Sequence, residues 1–299
     1  IKGTVDYPIG DFNNAFDWVK DMTIMAADGN SFNYEGLTFD GIVFENSRIS
    51  VTGWRNNGAV VKNFTVTNCR FFNLNDDTNL APVHFNMAAT EPVNGFTFTN
   101  NVIDGATGGQ KSGVYAQTTG EVVFTGNIIN NVSFRPYVIQ LTTDDGIADK
   151  FTVTGNTFSG SAAGRAQGLG NNAEGTDAVT LTVSNNIFKG ITNAQQICYW
   201  NFNEATTTVT LEKNYYDIDI IANPSKIYYN GAAKNVDDLF DMGVFPIYKE
   251  LNQDGTININ SAWSPDAVAT VNGDNYYYLQ SALDAAAAGT GNVTVEILK

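Results

Sequence analysis

Phe151–Phe158 reads FTVTGNTF. Apolar and polar residues alternate with period two, the pattern of a half-buried strand, so Phe151 and Val153 point inward and Thr152 and Thr154 outward. Gly155 and Asn156 then turn a corner. The same phrase recurs as FTVTNCRF from Phe64, FTFTNNVI from Phe96, VVFTGNII from Val122, LTVSNNIF from Leu181 and VTLEKNYY from Val209, with a fainter copy, LTFDGIVF, from Leu37. Superposed, the copies put Ile42, Cys69, Asn101, Asn127, Asn156, Asn186 and Asn214 in one column, at successive spacings of 27, 32, 26, 29, 30 and 28 residues.

Repeats of about 20–50 residues belong to units that cannot bury their own apolar face and must stack on neighbours. Strand periodicity inside a repeat of nearly 30 residues leaves room for three short strands and three turns. The expectation is an all-β chain, a right-handed parallel β-helix (solenoid) of about seven rungs. Adjacent parallel strands lie about 4.8 Å apart, so one asparagine per rung at the same corner lets each side-chain amide donate to the next. Such an internal asparagine ladder, through Asn101, Asn127, Asn156, Asn186 and Asn214, satisfies side chains and turn backbone together. It should give way to apolar stacking at Ile42 and Cys69.

The remaining segments differ in pattern. Residues 1–29 read as an N-terminal cap or incomplete rung, with a short helix at Phe12–Lys20 and a strand in MTIMA from Met22. Rungs occupy 30–230, and 231–270 form a capping or linker segment. That segment holds a helical turn in VDDLFDMG from Val236, a strand in TININ from Thr256 and a boundary at Ser264-Pro265. Residues 271–299 read as strand, Ala-rich helix over Leu279–Ala288 and strand, the helix using Leu279, Ala282, Leu283 and Ala286 as its apolar face and ending at Gly289.

Composition sets bounds on partners. With 43% hydrophobic residues the chain can bury a sizeable core. Its 16 Lys+Arg against 31 Asp+Glu give a net charge of -15, which argues against nucleic acid and anionic membrane as partners, since both need concentrated basic surface. No run approaches the roughly 18 apolar residues of a membrane span. The absence of an initiator Met and of a signal-like segment fits a processed chain or a fragment as well as a cytosolic protein. Cys69 and Cys198 fall in different parts of distant rungs and read as small core residues without a bridge.

The rungs resemble the right-handed parallel β-helix of the pectate-lyase-like superfamily, closest in style to Asn-rich β-helix regions of gut-bacterial cell-surface proteins, over about two-thirds of the chain. Residues 271–299 resemble the strand-helix-strand segment that opens such modules, which points to further modules in the same polypeptide. The resemblance implies a secreted or cell-surface location. It fixes fold more than function, because the superfamily holds lyases, hydrolases, tailspikes and adhesins. The Asp pair in TTDDG, Asp144 and Asp145, with Asp149 beyond it, resembles the double-Asp element of polygalacturonases, but their Gly-His-Gly and Arg-Ile-Lys motifs are missing. Arg135-Pro136 resembles part of the pectate-lyase Arg-x-Pro-x-x-Arg motif without its second Arg. No catalytic residue is assigned on this basis.

Two readings of the acidic clusters stay open: solvated turns, which also covers Asp76-Asp77, and a weak Ca²⁺ site at Asp144, Asp145 and Asp149. No other cofactor is expected. His84, the only histidine, should face outward with Asn86. Succeeding rungs bring Tyr115 and Gln117, then Gln140, then Arg165 and Gln167, then Trp200 to the same face, with Arg135 and Tyr137 as further contacts. Aromatic rings and planar polar side chains on a rigid sheet are the means of holding a sugar, and an ordinary mixed sheet face has the same composition. The outward Thr rows resemble ice-binding solenoids, yet threonine also suits any exposed strand, and Val123 and Glu212 interrupt them. The leading expectation is a noncatalytic module for adhesion or for binding a polysaccharide or surface glycan. A divergent polysaccharide lyase or glycoside hydrolase, and a structural spacer, stand as alternatives.

Overall fold

The computed structural model describes residues 17–25, 33–52, 60–86, 92–142, 145–159, 175–190, 197–200 and 203–298, with backbone alone for 17, 18, 23–25, 33, 51, 52, 199 and 200. Parallel strands coil round three sides. The first side carries the repeats and stacks Thr38–Asp40, Val60–Thr67, Val93–Thr99, the second half of Val114–Thr125, Asp149–Thr154, Val179–Ser184 and Thr207–Glu212. Its register puts Phe64, Phe96, Val122, Phe151, Leu181 and Val209 in one row and the Thr positions in another. The second side runs from Asp17–Lys20 through Ile42–Glu45, Arg70–Phe72, Val102–Asp104, Ile128–Asn130, Thr157–Ser159, Ile187–Lys189 and Tyr215–Tyr216 to Ile247–Tyr248. The third side stacks Thr23–Met25, Arg48–Thr52, Val83–Asn86, the first half of Val114–Thr125 and Tyr137–Leu141.

The coil amounts to about five turns, fewer than the seven read from the repeats. Among the described residues the third side ends at Tyr137–Leu141, and Cys198–Trp200 forms a separate parallel pair with Tyr228–Asn230. Inside, aromatic rings of successive rungs stack on one another. Phe44 lies on Phe71 with ring centroids 4.5 Å apart, Phe98 on Phe124 at 5.0 Å, and Phe158, Phe188 and Tyr216 continue at 5.4 and 5.2 Å. Each such pair adds about 0.5–1.5 kcal/mol to the burial of its rings.

The corner between first and second sides is polar yet buried. Asn101, Asn127, Asn156, Asn186 and Asn214 are all within the core boundary. Side-chain Nδ2 of Asn101 donates to Oδ1 of Asn127 at 3.2 Å, Asn127 to Asn156 at 2.9 Å, Asn156 to Asn186 at 2.9 Å and Asn186 to Asn214 at 3.1 Å. The same oxygens accept the column residue's backbone N–H from the rung before, beginning with Cys69. Each Nδ2 also donates to a carbonyl of the preceding rung, from Val66 for Asn101 to Val183 for Asn214. At Cys69 the amides stop, and the thiol, its pKa pushed up to about 11 by burial, leans on the Phe39 and Thr67 carbonyls. Cys69 and Cys198 are free and buried.

One position before this column the backbone is left-handed in every rung: Gly41, Asn68, Asn100, Gly126, Gly155, Asn185 and Lys213 have φ between 54° and 67°. Six are Gly or Asn, the residues that enter this region at least cost. Lys213 is the exception, so Lys213→Gly should raise the unfolding free energy by about 0.5–1 kcal/mol. A higher urea midpoint at unchanged slope would show it.

Three segments depart from their sequence patterns. Where a helix is expected at Phe12–Lys20, Asp17–Lys20 is a strand, because Val19 is buried against Phe44 in register; positions 12–16 lie outside the described residues. TININ does not form a strand: Ile257 makes a single bridge to Leu251, and Ile259–Ser261 is a short 3-10 turn. There Asn258 Oδ1 accepts the Asn260 N–H and Ser261 Oγ donates to the Asn258 carbonyl, local bonds that compete with a sheet. Helix α1, Val236–Asp241, starts from a capping box between Asn235 and Asp238. Ala262–Trp263 closes the second side as an antiparallel strand, covering an edge that would otherwise offer unpaired backbone.

The last segment is a three-stranded antiparallel sheet, with Ala269–Val271 between Asp274–Tyr276 and Val295–Ile297, and helix α2, Leu279–Ala288, against it. Of the four residues read as its apolar face only Ala282 is buried; Leu279 and Leu283 are 43% and 45% exposed. Tyr277 and Tyr278 donate their N–H groups to the Asp237 carboxylate at 2.7 and 3.1 Å, and the Tyr277 ring stacks on Phe240. These contacts tie the segment to α1.

Candidate functional site

The outer face of the third side brings part of the expected strip together. Ser50, His84, Tyr115 and Val138 stand in one row, and Gln117 and Gln140 in another two residues along. Tyr115 Oη donates to Gln140 Oε1 at 2.9 Å, and Gln117 Nε2 donates to the same oxygen at 3.2 Å. Gln117 Oε1 is buried without a partner. Asn86 is half-buried at the end of its strand, opposite Thr52.

His84 faces the outer side as its strand parity requires, but it is only 7% exposed. Its ring stacks on Tyr115, centroids 4.7 Å apart and 15° from parallel. Nδ1 accepts the Ala81 N–H at 3.1 Å, which leaves the proton of the neutral ring on Nε2. Burial, with Arg48 adding to it, pulls the imidazole down to about 4. At neutral pH His84 is therefore an uncharged donor and not a base. Burial likewise raises the Tyr115 phenol, opposed by the charge of Arg135. Arg135 is half-buried with its guanidinium over the Phe134 ring, 4.2 Å from the centroid.

Of the other expected contacts, Tyr137 does not join this face. Tyr137 is 1% exposed and sits in the core among Phe124, Phe151 and Phe158. Its pairing with Val114 sets the parity of the strand, so Tyr137, Ile139 and Leu141 point inward and Gln140 outward. Trp200 belongs to the separate pair with Tyr228–Asn230, and its side chain lies outside the described residues, as do Arg165 and Gln167.

Beside His84 lies a charged cluster that the sequence pattern does not reveal. Asp76 keeps part of its side chain in solvent, and its carboxylate is also held by Arg48 and by Lys111, the latter at 2.9 Å. The Lys111 side chain is fully buried, its ammonium also donating to the carbonyls of Asp76, Thr78 and Gly108. Thr78 Oγ1 donates to Asp76 at 2.6 Å and accepts from Arg48 at 3.0 Å. Lys111 comes from the irregular GGQKSG, and Arg48 opens the alternating strand RISVT, whose pattern gives no sign of a charged partner; the one available signal is the Asp-Asp pair itself.

The acidic turn is split. Asp149 is turned inward, 2% exposed, with Oδ1 accepting the Gly120 N–H at 2.7 Å. Asp145 is exposed; its own N–H and that of Gly146 donate to Asp177 at 3.0 Å. Asp144 lies outside the described residues. Among the described residues no three His, Cys, Asp or Glu side chains gather as a metal site. Asp149 caps a backbone amide and Asp145 faces solvent, so these two do not together supply the six or more oxygens of a Ca²⁺ shell.

The architecture defines a parallel β-solenoid with a braced polar and aromatic row on its third side. The chain matches no protein-family model, no curated protein and no solved structure. Among the described residues no helix is long and apolar enough to cross a membrane.

Proposed function

We propose that the chain is a noncatalytic, secreted or cell-surface β-helix module of the pectate-lyase-like type, which binds a polysaccharide or surface glycan along His84, Asn86, Tyr115, Gln117 and Gln140. The observation that carries the reading is the Gln140 carboxamide, which fixes both Tyr115 and Gln117 on a rigid sheet beside the stacked imidazole. Rings and planar amides held in place lose little entropy when a sugar docks. His84 with its proton on Nε2 supplies a donor. The buried asparagines read as a ladder that holds rungs in register, so they serve the site only indirectly. Placement outside the cell, and continuation into further modules, rest on the likeness of the rungs alone.

Glycan-array screening followed by calorimetry tests the reading. Tyr115→Ala and Gln140→Ala should each weaken binding about tenfold, the loss of about 1.4 kcal/mol. Unchanged affinity in both folded variants would remove the site. Steady release of unsaturated products from polygalacturonate would replace the binding module with a lyase.

A further inference from the structure

The corner at Gly120 contains polar groups that the proposed function does not use. Here the strand Val114–Thr125 bends from the third side to the first, and Asp149 enters from the following rung. One carboxyl oxygen accepts the Gly120 N–H; the other, Oδ2, is buried without a partner. Thr119 lies beside the same carboxyl, 2% exposed. The charged groups nearest it are like-charged: Asp145 from the turn ahead of its own strand and Asp177 from the turn ahead of the next. Lys150, its neighbour, points outward and pairs with Glu121 at 2.9 Å. Among the described ion pairs none reaches Asp149.

We propose that Asp149 is a proton-operated latch on this corner: protonated on Oδ2, it sits beside Thr119 as a neutral acid, and on losing the proton it places an unpaired charge inside the bend and destabilises it. A carboxylate so placed has one oxygen with no donor and two carboxylates nearby, so burial costs its charged form heavily. The acid accordingly titrates near neutrality, raised to about 7 chiefly by burial, with Asp145 and Asp177 adding and the Gly120 N–H and Thr119 opposing. Because the folded value lies above that of the unfolded chain, the folded state keeps a proton that the unfolded state releases. The stability this contributes is full below about pH 4, falls as pH rises, and is gone above about pH 7.

The test compares the pH dependence of urea unfolding in the whole chain and in Asp149→Asn. Between pH 5 and 7 the folding constant of the native chain should fall relative to the variant by up to about tenfold per pH unit, then run parallel to it above about pH 7.5. Parallel curves throughout would overturn the proposal. If Asp149→Asn does not fold, ¹³C carboxyl titration of the native chain reads the same group. An inflection near neutrality that moves down in Asp177→Asn supports the latch, and an inflection below pH 5 overturns it.

Discussion

Asn156→Ala should lower the unfolding free energy by about 3–5 kcal/mol. The side chain serves two buried backbone groups, accepting the Asn127 N–H at 2.8 Å and donating to the Phe124 carbonyl at 2.8 Å. It also links the amides of Asn127 and Asn186, both at 2.9 Å. Alanine can replace none of these bonds. Leaving a buried polar group unsatisfied costs about 1–3 kcal/mol, and two backbone groups are stranded in the same change, with a cavity added. Thr152→Ala, on the outer face of the same rung, should fall within about 0.5 kcal/mol of the native chain. Urea unfolding of both variants decides the matter, and a loss under about 1 kcal/mol for Asn156→Ala would mean that the amide chain is decoration on a fold set by its apolar rows.

The second large effect belongs to Lys111. Its ammonium is enclosed by the Asp76 carboxylate and three carbonyls, and Asp76 is shared with Arg48. Lys111→Met keeps the volume and removes the charge, leaving the acceptors around the ammonium without their donor. Removing one partner from a buried ion pair costs about 3–5 kcal/mol, although replacing a whole network by apolar residues can be neutral. Asp76→Asn made on top of Lys111→Met should therefore cost less than Asp76→Asn alone, and a double-mutant cycle measures the difference. Strict additivity of the two changes would show that Lys111 and Asp76 act independently.

These two sites differ in how far the sequence announces them. The asparagines recur with the rung, and a side chain that repeats at one corner has a neighbour of its own kind above and below, so spacing alone gives partner and geometry. Lys111, from a loop, and Arg48, from the start of a strand, meet Asp76 by contacts made once, and periodicity is silent about such contacts. The same distinction explains His84. Strand parity gives the side it faces, whereas its burial comes from Tyr115 and the Arg48 region on other rungs. Tyr137 was legible, since Tyr137, Ile139 and Leu141 alternate in the inward phase, and reading it as a surface contact gave its hydroxyl more weight than its phase. In α2, a sheet of three short strands is too narrow to cover a full apolar stripe, so small Ala282 takes the close contact and the two leucines stay at its margin.

Along the buried corner Asn101, Asn127, Asn156 and Asn186 each present an acceptor to the rung before and a donor to the rung after. From Asn101 to Asn214 the joint between successive rungs is thus the same plug and socket, whatever the loops do elsewhere. A rung can be gained by duplication or lost by deletion, and the cut ends still fit, provided that the break respects the corner. The outward-facing residues of each rung can then vary freely, so a surface can diversify on this scaffold one rung at a time.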